Sequence, residues 1–127
     1  LFPTLVELCG LPQPDGLDGV SQVPVLRDPE QAVKTAAFTQ HPRPAYFDRA
    51  PPHRPAAMGV SVRTPDCRYT EWRDWITGQT IARELYLEDD QPAETRSRHD
   101  DPAVATVQKI AAARLLERFP LTPHAVP

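Results

Sequence analysis

The sequence predicts an α+β domain, an antiparallel sheet of about four strands with one long helix packed on a face. Three observations predict it. Residues 58–64 alternate, with Met58, Val60 and Val62 on one face and Gly59, Ser61 and Arg63 on the other, which is the period of a half-buried strand. Pro65-Asp66 then turns the chain into the aromatic, β-favouring run Tyr69-Thr70-Glu71-Trp72, so the two segments read as a hairpin. Near the carboxy end Val104, Val107, Ala111 and Leu115 recur at helical spacing behind Asp101-Pro102, a capping residue followed by a first-turn proline.

The elements follow in order. Pro3 opens a short amphipathic helix over residues 3–9, and Gly10 suits the left-handed residue that ends it. Pro12, Pro14, Gly16 and Gly19 mark an irregular crossing, after which Ser21 caps one turn over residues 23–26. Residues 36–40 form the first strand. A polar loop is then expected from Gln40 to Arg54, stiffened by Pro42, Pro44, Pro51, Pro52 and Pro55 and carrying His41, Arg43, Asp48, Arg49 and His53. Structureless loops of this length tend to be functional, and proline lowers the entropy lost in holding one still. After the hairpin, Gly78 marks a second turn, and residues 82–88 give the last strand, with Leu85 and Leu87 on one face and Tyr86 on the other. The segment from Glu84 to Asp101 carries seven acidic residues against two arginines and reads as a solvated connection. It lacks the glycine and alternating oxygens of an EF-hand, so no metal is assigned to it. The closing helix spans residues 103–119 and stops at Pro120.

Composition narrows the function. At 127 residues there is room for one real core burying roughly 65% of the unfolded surface. A net charge of -3 with both signs mixed gives no broad grip on nucleic acid or an anionic membrane. No apolar run approaches the roughly 18 residues of a membrane span. Cys9 and Cys67 lie far apart without metal-ligand spacing and read as buried free thiols. No Gly-x-Ser-x-Gly, Ser-x-x-Lys, cysteine–histidine pair or glycine-rich phosphate loop occurs, and His41, His53, His99 and His124 show no metal-binding spacing. No catalytic residue is assigned. From the residues alone the chain is a binding or structural module whose notable surface runs from Gln40 to Arg54.

A family resemblance adds to this. Phe2-Pro3-Thr4-Leu5, Gly10-Leu11 and Gly19-Val20-Ser21 resemble the segment that closes the large domain of type I sulfatases. AFTQHPRP, MGVSVRT, CRYTEW and ARELYLEDDQPAET then follow in the order of iduronate-2-sulfatase-like enzymes of the alkaline-phosphatase-like superfamily. His41 stands where those relatives carry tyrosine, and the Cys-x-Pro-Ser-Arg type motif whose cysteine becomes formylglycine is absent, as are the calcium-binding aspartates. The resemblance implies the carboxy-terminal portion of a sulfatase, inactive by itself, with residues 1–34 ending the large α/β domain and residues 35–127 forming a carboxy-terminal subdomain. It implies formylglycine and calcium in an amino-terminal part, that part as partner, a sulfated saccharide as substrate, and a dimer through the face the larger domain would cover. It further implies that Arg54, followed by Pro55, approaches a uronate carboxylate, with His41 as a second pocket contact. Arg43, held between Pro42 and Pro44, either clamps the loop to carboxylates of the large domain or faces the pocket. Arg63 and Arg68 are expected to brace the hairpin against Asp66, Glu71 or the neighbouring domain. Two other readings remain, a stand-alone interaction module and the carboxy-terminal part of a related phosphodiester or phosphonate hydrolase.

Overall fold

The computed structural model of the chain describes residues 1–45, 54–90 and 94–121. His53 and His124, and most of the proline-rich loop, lie outside them. The chain divides into two units, Leu1–Thr35 and Ala36–Pro127.

The first unit is two short helices, α1 (Phe2–Leu8) and α2 (Val23–Arg27). Pro3 starts α1 without losing a needed donor. Gly10 ends it at φ 66°, where its N–H donates to Glu7 O at 3.0 Å and that of Leu11 donates to Val6 O at 3.0 Å. These are the two bonds of a Schellman cap. Ser21 does accept the Val23 N–H, at 3.2 Å, although the cap position itself belongs to Gln22. The Gln22 N–H in turn donates to Thr4 Oγ1 at 3.0 Å and ties the helices together over buried Thr4, Val6 and Val23. Cys9 departs from expectation. It is exposed, because it sits at the cap of a two-turn helix, beyond the residues the crossing chain covers. Leu1, Phe2, Leu5, Leu8, Leu11 and Leu26 are exposed as well.

The second unit carries the predicted α+β architecture. Strands β1 (Ala37–Arg43), β2 (Ala57–Arg63), β3 (Cys67–Asp74) and β4 (Thr80–Leu87) form one four-stranded antiparallel sheet in sequence order. β1 runs further than the sequence suggested: His41, Pro42 and Arg43 continue the ladder opposite Gly59, Met58 and Ala57 instead of beginning the loop. A margin strand tolerates Pro42 because one of its sides needs no donor. The β2–β3 hairpin closes with Thr64 N–H donating to Cys67 O at 2.8 Å. At the β3–β4 turn Asp74 Oδ1 accepts the N–H groups of Ile76 and Thr77 at 3.0 and 2.7 Å, and Gly78 takes φ 71°. The Thr77 N–H, more than any other neighbour, holds the Asp74 carboxyl below its ordinary pKa.

A short 3-10 turn (Pro102–Val104) leads into α3 (Ala105–Arg118), and Asp101 caps that entry by accepting the Ala103 N–H at 2.9 Å. Val104, Ala111 and Leu115 bury the helix stripe against Val60, Val62, Cys67, Tyr69 and Leu85. Phe119 meets Phe38 edge-on, with centroids 6.2 Å apart. Along the outer side of β4, Ser97 Oγ accepts the Leu85 N–H at 3.1 Å and Arg98 N–H donates to Leu85 O at 2.7 Å. Arg98 is held there by Asp101 at 2.6 Å and Asp90 at 2.9 Å, which pushes its pKa up and, through the Arg98 hydrogen bond, pulls that of Asp101 down.

Candidate functional site

Strand alternation sorts the sheet into two faces. One face turns to α3. The other carries His41 and Arg43 from β1, Gly59 and Ser61 from β2, Thr70 and Trp72 from β3, and Ala82 and Glu84 from β4. The second face holds the arrangement of most chemical interest.

Its centre is Trp72. The indole lies over Gly59, its cross-strand partner, so closely that a Cβ on Gly59 would stand 2.7 Å from the ring. The indole N–H donates to Glu84 Oε1 at 2.8 Å, and the Tyr86 hydroxyl donates to Glu84 Oε2 at 3.1 Å. Burial, then this bond to Glu84, raises the Tyr86 pKa. The Arg43 guanidinium lies over the Trp72 ring, 4.0 Å from its centroid.

The three basic residues singled out in the sequence stand on backbone that meets at one corner of the sheet. His41 and Arg43 are exposed and leave β1 on the same face, two residues apart, a spacing of about 7 Å. Arg54 is exposed on the segment that rejoins the sheet, two residues ahead of Ala56, whose N–H donates to Arg43 O at 2.7 Å. The Ala56 carbonyl is held from the other side by the Trp75 N–H at 2.9 Å. Among the described residues no carboxylate pairs with Arg43; its partner is the indole.

Arg63 and Arg68 pair differently from expectation. Arg63 bonds Glu88 and also Glu94, the latter at 2.7 Å, and Arg68 meets Glu94 at 3.2 Å. Glu71 is excluded as their partner by strand alternation, which turns it to the helix side. There it forms the second polar cluster, unforeseen in the sequence. Glu71 and Arg73 are buried, at 8% and 7% exposure. Glu71 Oε2 accepts from Arg73 Nε and Nη2 at 3.0 and 2.9 Å, while Oε1 accepts from the Tyr69 hydroxyl at 2.9 Å. Arg73 Nη1 reaches the Phe119 carbonyl at the end of α3, 2.6 Å away.

Burial, reinforced by the bond to Glu71, pushes the Tyr69 pKa up from 10.0 to about 12. A folded pKa above the unfolded one means that the neutral phenol is stabilised by folding. That contribution is complete below pH 10.0 and is lost as pH rises to about 12. Unfolding midpoints measured through that window should fall for the native chain and fall less for Tyr69→Phe.

A cleft of about 700 Å³ is lined by Asp90, Thr95, Arg96, Ser97, Arg98 and Asp101. It belongs to the β4 side, the opposite margin of the sheet from His41 and Arg43. Of its two arginines, Arg98 is already paired with Asp90 and Asp101. His99 is half-buried between Ser97 and Asp100. Among the described residues no three histidine, cysteine, aspartate or glutamate side chains converge to hold a metal ion.

No protein-family model matches the chain. It is similar to the iduronate 2-sulfatase of Mus musculus, 29% identical over 133 residues, an alignment covering 80% of this chain and 24% of that protein. The chain thus spans about a quarter of the length of the curated relative it matches. The similarity supports a sulfatase-like relationship.

Proposed function

We propose that this chain is the carboxy-terminal portion of a sulfatase acting on a sulfated uronate sugar, and that it governs which substrate is accepted rather than attacking sulfur. The observation that carries the reading is the similarity to iduronate 2-sulfatase over 80% of the chain. The corner formed by His41, Arg43 and Arg54 supports the second half, because a uronate brings a carboxylate that needs a cation at a fixed distance from the reacting ester.

In this reading formylglycine and calcium belong to an amino-terminal sulfatase domain, the partner of this chain. Formylglycine there supplies the attack on sulfur. Among the described residues no three histidine, cysteine, aspartate or glutamate side chains are grouped to hold that calcium. What this chain does is bind and orient. The Arg54 guanidinium offers a planar pair of donors to the uronate carboxylate, and His41 and Arg43 set the potential beside it. The apolar residues exposed along α1 are consistent with a face that the partner domain covers.

In the enzyme that contains this chain, Arg54→Ala should raise KM for a uronate-2-sulfate by roughly ten- to a hundredfold, the size of one lost charge-assisted bond of about 1.5–3 kcal/mol. A small aryl sulfate should be hydrolysed at nearly the original rate. Equal losses on both substrates would make the corner scaffold only. The chain alone, pure and intact by mass, should hydrolyse neither ester, and turnover by it would overturn the reading.

A further inference from the structure

We infer that Trp72 is a positioning residue which fixes the Arg43 guanidinium as a receptor for an oxyanion. The ion's identity, a carboxylate or sulfate of the substrate, rests on the function proposed above. An exposed arginine ordinarily samples many rotamers, and each one lost on binding costs affinity. Here that loss is met in advance. The indole is fixed on one side by Gly59, where three ring carbons approach to 2.7–3.0 Å of where a Cβ would be, and at its edge by the 2.8 Å bond to Glu84. Arg43 lies on this fixed ring at 4.0 Å.

With its central carbon 4.0 Å from the ring centroid, the guanidinium is held to the indole by attraction to the ring's electron-rich face, a contact that leaves its N–H groups able to donate elsewhere. Among the described residues no side-chain acceptor takes those donors, and Arg43 is exposed. The indole is in contact with both Gly59 and the Arg43 guanidinium. Its work is to aim the cation. His41, two residues away on the same face, places a second donor beside the same seat.

The test titrates the chain with sodium glucuronate and, separately, sodium sulfate, following the arginine side-chain Nε–Hε signals by NMR, with Arg43→Lys assigning the Arg43 signal. The Arg43 signal should respond saturably to at least one anion. Trp72→Leu should weaken that binding by about two- to fivefold, the worth of an exposed cation–π contact, and Trp72→Phe by less. If the leucine variant does not fold, the phenylalanine variant carries the comparison. An Arg43 signal indifferent to both anions overturns the proposal, as does unchanged affinity in the folded Trp72 variants. Response to glucuronate alone identifies a carboxylate seat and response to sulfate alone a sulfate seat, each in support. Saturable binding by a protein whose parent enzyme cleaves no sulfate ester would sink the proposed function and leave this inference standing.

Discussion

Arg73→Ala should destabilise the chain by about 3–5 kcal/mol, the cost of stranding one member of a buried ion pair. Removing the guanidinium leaves the Glu71 carboxylate buried with the Tyr69 hydroxyl at 2.9 Å and the Thr80 hydroxyl at 3.3 Å as its nearer donors. Arg83, 3.9 Å from Oε1, is half-exposed and compensates little. The Phe119 carbonyl also loses its 2.6 Å donor at the end of α3. Urea unfolding followed by far-ultraviolet circular dichroism measures the loss. A shift below about 1 kcal/mol would show that water reaches the pair in solution. The double variant Glu71→Leu/Arg73→Met should recover most of the stability, since buried pairs replaced by apolar groups of similar volume are often neutral or better. Because domains are stable by only about 5–15 kcal/mol, the single variant should be close to unfolding at moderate temperature.

The second large effect is Leu115→Ala, expected to cost about 2–5 kcal/mol through lost burial and the cavity left behind. Leu115 is fully buried, at 0% exposure, in the stripe that joins α3 to the sheet. It packs in one cluster with Val60, Val62, Tyr69 and Leu85 of the sheet, whose strands are fixed by their ladders and cannot readily close over the void. Leu116→Ala, on the exposed side of the same turn at 47% exposure, should stay within about 0.5 kcal/mol and serves as the control. Equal shifts for the two would mean that α3 does not pack through the stripe.

The sequence and structure agree most closely where a periodic signal is long and unmixed. The alternation of residues 58–64, the Pro65-Asp66 turn and the stripe Val104, Ala111, Leu115 all appear in place because each depends on burial along one face, which a local pattern reports. The first strand runs on through Pro42, a residue that locally disfavours a strand, because its position at the sheet margin, a tertiary fact, makes it acceptable. Cys9 is exposed where its residue type suggests burial, because a cysteine's usual burial is a statistical tendency while its exposure follows from standing at a helix cap. Arg63 and Arg68 found Glu88 and Glu94 instead of Asp66 or Glu71 because side-chain pairing depends on which strands are neighbours.

Two features of the site were within reach of the pattern. The run Tyr69-Thr70-Glu71-Trp72-Arg73 alternates faces, so counting by two from buried Tyr69 puts Glu71 and Arg73 on the helix side and leaves Trp72 on the other. His41 and Arg43 share a face by the same count. What no local count supplies is the register that sets Gly59 beneath the indole, since that depends on the turn and on two strands pairing.

The outer margin of β1 bears on how the molecule behaves at high concentration. A β-sheet invites a further strand wherever its last backbone remains unpaired, which is how fibrils begin. On the β4 side the Ser97 and Arg98 segment already occupies part of that position. On the β1 side Pro42 brings no amide hydrogen, and Arg43 would set two guanidinium groups near one another in any stack of identical copies. The same short stretch proposed above to receive an oxyanion therefore also discourages self-templated growth.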